Sequence, residues 1–259
     1  MAQFNLQTSF DELTLATGTT AQRPGVPVNG MIRYNTTISL LEFYDGSNWR
    51  PVTGFSQGNI GTGGQQILKK GNSIVHMFTT TGNHTFTPTH SGYVQVLVVG
   101  GGGGTGGGWT GGGGGGGMIF NRSFPVSAGS GYGVTVGGGA GRGSRSNGGN
   151  SVFSTITASG GGYGGWWDGG NAAGGGSGGG GGNSSADGSR RREPGGLGVT
   201  GQGFPGGSGV RFHDDGTNTH NGGGGGGAGG PGLDSQDEAQ GQPTHGGPGA
   251  ASDILGDTL

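Results

Sequence analysis

The 259-residue chain contains no cysteine, which removes disulfides, thiolate metal sites and cysteine nucleophiles together and fits synthesis in a bacterial cytoplasm. Charge is scarce too. Asp, Glu, Lys and Arg make up 10% of the residues and the net charge is −2, so neither a charge-rich disordered tail nor a nucleic-acid-binding surface is expected. No stretch approaches the roughly 20 apolar residues of a membrane span. Met1 to Thr20 lacks the basic start and apolar run of a secretory signal, so an extracellular role implies release by lysis. Hydrophobic residues are only 27% of the chain, too few for one conventional core.

What is abundant is glycine, at 76 residues. It is unevenly spread: 11 fall in residues 1–91 and the remaining 65 (76 − 11) in 92–259, which places a compositional boundary just before Gly92. Glycine loses the most backbone freedom on folding and brings no side chain to bury. Either the glycine-rich part is disordered, or its backbone is itself the packing material.

Before that boundary the pattern is of short strands. Ser9-Phe10-Asp11-Glu12 has the spacing of a capping box and could open a short helix to about Ala16. Met31–Asn35, Ser39–Tyr44 and Asn48–Val52 read as a meander, with Asp45-Gly46 as the hairpin turn. So small a module buries little alone and is expected to need partner chains. Ile67-Leu68, Ser73–Phe78, His84–Thr87 and Tyr93–Val99 read as four further strands, the last so apolar that a central position buried on both faces is expected.

The stretches Gly18-Thr-Thr-Ala-Gln-Arg-Pro, Gly30-Met-Ile-Arg-Tyr-Asn and Leu41-Glu-Phe-Tyr-Asp-Gly-Ser-Asn-Trp49 resemble a module of phage tail-fibre proteins. His84-Thr-Phe-Thr-Pro, Val94 to Gly103, Tyr132-Gly-Val-Thr-Val-Gly, Gly149-Asn-Ser-Val-Phe and Ala158-Ser-Gly-Gly-Gly resemble the glycine-rich domain of phage fibres and adhesins. The resemblance implies a virion protein of the tail or fibre, a homotrimer, other virion proteins as neighbours, and a host cell-surface glycan or outer-membrane protein as receptor. It also implies a closing apolar strand beyond Leu259.

Within the glycine-rich part a collagen repeat is excluded, because Gly111 to Gly117 is continuous and Met118 to Ser127 has no glycine. A flexible linker would have no use for the strand-like Met118–Val126, Tyr132–Val136 and Ser151–Thr157 that interrupt the glycine. The expected solution lays the glycine runs side by side as extended helices of three residues per turn, bonded laterally. The expected fold class is mainly β with little helix. Short antiparallel modules precede a glycine-rich domain of strands and polyglycine-II-like runs. The expected division is 1–60 as an attachment or trimerisation module, 61–99 as a strand segment leading in, and 100–259 as the adhesive domain.

Chemistry-bearing motifs are few. Gly137 to Gly143 can be aligned with a dinucleotide fingerprint, but no helix follows, and Lys69 and Lys70 lie outside the glycine runs, against a P-loop. His213, Asp214, Asp215, His220 and His245 lack compact metal-ligand spacing. Nothing around Ser208 or Ser252 would build an oxyanion hole for a triad with those histidines. Asp214, Asp215, Asp234, Asp237 and Glu238 sit in polar segments without strand support for a glycosidase pair. No catalytic residue, cofactor or metal is therefore assigned. The segments between runs carry the candidate receptor contacts: Trp109, Tyr163, Trp166, Trp167, Arg190, Arg191, Arg192, Arg211 and His213. Tryptophans suit sugar rings or apolar loops, and arginines suit phosphate or carboxylate groups. Trp166 and Trp167 are equally readable as caps on a glycine core.

Overall fold

The computed structural model describes residues 15–52, 60–70, 73–108, 110–166, 170–183, 191–214, 217–235 and 244–254. The expected helix start at Ser9 lies outside them. The chain divides into two compact units, residues 1–58 and 59–259.

The first unit is a four-stranded sheet in the order β1 (Thr17–Gly18), β2 (Ile32–Asn35), β3 (Leu40–Tyr44) and β4 (Trp49–Pro51). β1 runs parallel to β2 and the other pairs are antiparallel. The β3–β4 turn forms where Asp45 Oδ1 accepts the backbone N–H groups of Ser47 and Asn48 at 2.9 and 2.6 Å, with Gly46 at φ +93°. Register pairs Ile32 with Phe43 and Arg33 with Glu42, so apolar and charged residues fall on opposite faces. The charged face is the buried one. Glu42, fully buried, accepts from Arg23 Nη2 at 2.6 Å, Arg33 Nη1 at 3.3 Å and Asn35 Nδ2 at 3.0 Å. Ile32, Tyr34 and Phe43 are exposed instead, and no hydrophobic residue is buried among the described residues of this unit.

The second unit begins as a β-sandwich. One sheet has the order β13-β12-β11-β8-β5, from Ile156–Ala158, Ser151–Phe153, Tyr132–Val136, Gly82–Pro88 and Gly61–Thr62. The other pairs β9 (Gly92–Val99) with β10 (Met118–Val126), and β6 (Gln66–Lys70) and β7 (Ser73–Met77) form a separate two-stranded hairpin whose His76 ring meets Phe86 edge-on at 5.1 Å between centroids. Phe86, Val96, Val98, Val134, Phe153 and Ala158 form the core, and Phe124 meets Phe153 edge-on at 5.3 Å between centroids.

β9 is not the central strand that its composition implies. It pairs only with β10, and while Val96 and Val98 are buried, Tyr93 and Val99 are exposed. The physical reason is the glycine run at its C-terminal end. The Val99–Met118 pair continues directly into Gly100, whose N–H donates to the Gly117 carbonyl at 2.8 Å, so the strand's position is set by the glycine runs rather than by two-sided cover.

The glycine runs form a hydrogen-bonded lattice. The N–H groups of Gly111, Gly114 and Gly117 donate to the carbonyls of Gly165, Gly162 and Ser159 at 2.9, 2.8 and 2.8 Å, while Gly112 and Gly115 donate to Gly223 and Gly226 at 3.0 Å each. Bonds to one neighbour recur every third residue, as a three-residue turn requires, and the intervening residues address other neighbours. The run 177–183 is fully surrounded. It donates to 203–209 through Gly178 and Gly181, to 171–176 through Gly179 and to 111–117 through Gly180. It accepts from 159–166 at Ser177 and Gly180, from 194–199 at Gly179, and from 222–227 at Gly178 and Gly181. Each of these six runs is also bonded to the next around the ring, which closes a hexagon. Only glycine permits such approach: a methyl built on Gly114 would overlap the Ser177 carbonyl oxygen. The backbone is the packing material, in a mainly β chain with polyglycine-II-like runs.

Candidate binding end of the glycine lattice

The two ends of the lattice differ. At one end the runs emerge from the β-sandwich or turn back tightly, as at 199–203, where the Gln202 carbonyl accepts from Met118 N–H and its Oε1 from Ser159 N–H. At the other end lie the longer connections. Among the described residues, the register carries 105–108, 110, 141–147, 166, 170, 191–193, 209–214, 217–222, 235 and 244 to this end, so positions spread over more than half the chain share one surface.

Part of that surface is ordered by a three-stranded antiparallel sheet of β14 (Arg191–Glu193), β15 (Gly209–Asp214) and β16 (Thr217–Asn221). Its register places Arg191, Arg211 and His220 in one cross-strand row, with His213 opposite Asn218 two positions along β15. Three basic or imidazole-bearing positions thus share a row, although the sequence separates them widely.

Trp166 ends the run 159–166. It is half-buried, its backbone N–H donates to the Gly170 carbonyl at 2.9 Å, and the Arg145 guanidinium lies 4.4 Å from its ring centroid. Arg192 Nη1 approaches Asp234 Oδ2 at 3.9 Å, both side chains about half exposed, while Asp234 Oδ1 accepts the Ser208 N–H at 2.6 Å. Tyr163 is a lattice member rather than an end residue. Its N–H donates to Asn147 Oδ1 at 3.1 Å and its carbonyl accepts from Ala173 at 2.9 Å. Trp109, Trp167 and Arg190 lie outside the described residues, as do the side chains of Arg191, Arg211 and His213.

Reasoning from sequence passed over Arg145, Asn183 and Asn221, which also stand at this end. The available signal was positional: Asn183 is the first residue after one glycine run and Asn221 the last before another.

A family model described as a glycine-rich domain matches residues 79–257. The chain belongs to this glycine-rich domain family. The match takes in β8 to β16, the lattice and its loop-bearing end, and leaves the N-terminal sheet outside. No curated protein and no solved structure matches the chain.

Proposed function

We propose that this glycine-rich domain protein is a phage virion fibre or receptor-binding protein that attaches the particle to a host cell surface by non-catalytic binding. The observation that carries the reading is the gathering of the long connections at one end of a lattice whose other end is occupied by strands and tight turns. Loops held by a rigid scaffold are where binding residues concentrate. A glycan or an outer-membrane protein is the receptor, met by Trp166 and the arginine-bearing segments. Several weak contacts gain avidity when copies share a particle.

In the same proposal the N-terminal unit joins the chain to other virion proteins and to further copies of itself as a homotrimer. Its inverted sheet supports self-association: the charged network is internally satisfied, and the uncharged face with Ile32, Tyr34 and Phe43 is left for an apolar partner.

The test is saturable binding of the purified chain to candidate host cells, compared with a variant carrying alanine at Trp166, Trp167 and Arg190 to Arg192. Binding by the parent and its loss in a folded variant supports attachment. Absence of binding to a susceptible host instead favours a structural fibre of the head, neck or baseplate.

A further inference from the structure

The three-stranded sheet at the loop-bearing end sets like charges against one another. Successive residues of a strand belong to opposite faces of a sheet, and cross-strand partners share a face. Arg192, Val210 and Asn221 form one row across β14, β15 and β16, and Val210 is 3% exposed, so this row belongs to the covered face. Arg192 on it approaches Asp234. Arg191, Arg211 and His220 form the next row and fall on the other face. His213, two positions along β15, shares that face, whereas Asp214 falls on the covered one. Glu193 is the single acidic position of the uncovered face within the three strands. Two arginines against one glutamate leave it positive before either imidazole is protonated. Among the described strands, none lies across it.

Residues directly opposite on paired strands have Cβ atoms only about 4.5–5.5 Å apart, and like charges so placed destabilise a sheet. Arg191 and Arg211 are such a pair, and the row that His220 extends spans about 10 Å, two strand spacings. An anion over the row turns the repulsion into attraction. A carboxylate has two oxygens and one charge, which a single guanidinium fork satisfies. A phosphate monoester has three terminal oxygens and nearly two negative charges, enough for two forks and a further donor. We infer that this row binds a phosphate group carried by a surface saccharide, with Arg191 and Arg211 as the paired cations and His220 as the further donor. The inference rests on the attachment reading and names its ligand class.

The test uses the full chain, titrated calorimetrically with phosphorylated oligosaccharides released from the host envelope, with the same fragments after phosphatase treatment, and with uronic-acid oligosaccharides of matched charge. The phosphorylated fragments are expected to bind, the dephosphorylated ones to fail and the uronic acids to bind at least tenfold more weakly. Arg191→Gln and Arg211→Gln should each weaken binding by about tenfold or more, the worth of one hydrogen bond to a charged group. Lys69→Gln removes the same charge from the β6–β7 hairpin and should bind like the parent. Without ligand, the melting midpoints of the two arginine variants are expected to hold or rise, since a like charge has left the row. Dephosphorylated or uronic-acid fragments that bind as well as the phosphorylated ones would overturn the inference. So would arginine variants that bind like the parent, an equal loss in Lys69→Gln, or a fall in midpoint that makes the arginines structural. Cells that bind the chain equally before and after phosphatase treatment would sink this inference and leave attachment standing. A chain that binds the phosphorylated fragments and no cells keeps the phosphate row and loses attachment. One that binds neither loses both.

Discussion

Gly114 donates its N–H to the Gly162 carbonyl at 2.8 Å, and its two α-hydrogens occupy the space through which neighbouring backbones meet. A methyl there would overlap the carbonyl oxygen of Ser177, which belongs to the central run and cannot swing aside as a side chain could. Gly114→Ala should therefore cost at least the ~1–3 kcal/mol of an overpacked core. Gly133→Ala, on β11 with nothing within 4 Å of the added methyl, should stay within about 0.5 kcal/mol of the parent. Thermal or denaturant unfolding of both variants decides it, and equal stability would mean that the runs are not packed as described.

Amide exchange tests the same lattice independently. Gly178, Gly179, Gly180 and Gly181 each donate to a different or successive neighbour inside a closed ring of runs, so their N–H groups open only when the lattice does. They should be among the slowest-exchanging amides of the second unit, and those of the two-stranded β6–β7 hairpin among the faster. Glycine amides exchanging at unprotected rates would identify the runs as linkers.

Much of the local structure was legible because it is written in side chains. Asp45-Gly46 announces the β3–β4 turn, and Met118–Val126 and Tyr132–Val136 announce β10 and β11. The lattice pairing was not legible, since within a homopolymer of glycine every register is chemically alike. What sets register is the few side chains that interrupt it. Asn147 and Asn150, three residues apart, accept the N–H groups of Tyr163 and Gly160, also three apart. Ser177 Oγ donates to the Gly116 carbonyl at 2.6 Å. The site was half legible: the loop-borne tryptophans and arginines stood out, whereas the row that joins Arg191, Arg211 and His220 exists only once β14, β15 and β16 are paired.

The register-setting asparagines can be tested one at a time. Asn150→Ala removes the acceptor of the Gly160 N–H, which lies in a buried stretch of run, and should cost ~1–3 kcal/mol, the penalty of an orphaned buried donor. Asn150→Asp keeps an acceptor and should recover most of the loss. A failure of the aspartate to rescue would show that Asn150 acts through packing and not through its carbonyl oxygen.

In the first unit, hydrogen bonding from Arg23, followed by Asn35 and the charges of Arg23 and Arg33, outweighs burial and holds the Glu42 carboxyl below its ordinary value. Arg50, with the Asn48 and Ser47 amides, brings Asp45 down to about 2. A lowered carboxyl pKa stabilises the fold above the unfolded value and loses that contribution as pH falls through the folded one. The unit should therefore keep full stability down to about pH 4–5 and lose it progressively below. Glu42→Gln should flatten this acid limb and, at neutral pH, cost ~3–5 kcal/mol by leaving Arg33 buried without its anion. Acid titration of the two forms, followed by tryptophan fluorescence from Trp49, reads both effects, because Trp49 lies 5.9 Å from the Arg33 guanidinium.

The outward apolar face of the same sheet is where association between copies is expected. Phe43 pairs with Ile32 across β2 and β3 on the side opposite Glu42, and both remain exposed in the single chain. If copies associate there, Phe43→Lys places a charge in the contact, and the complex dissociates while the Glu42 network behind it is untouched. Sedimentation at several concentrations should show a trimer for the parent and a monomer or a concentration-dependent mixture for the variant. The acid-unfolding profile of the separated variant still reports an intact Glu42 network, which distinguishes lost association from a lost fold. A parent that sediments as a monomer throughout removes the homotrimer. A trimer that survives Phe43→Lys moves the contact elsewhere on the chain.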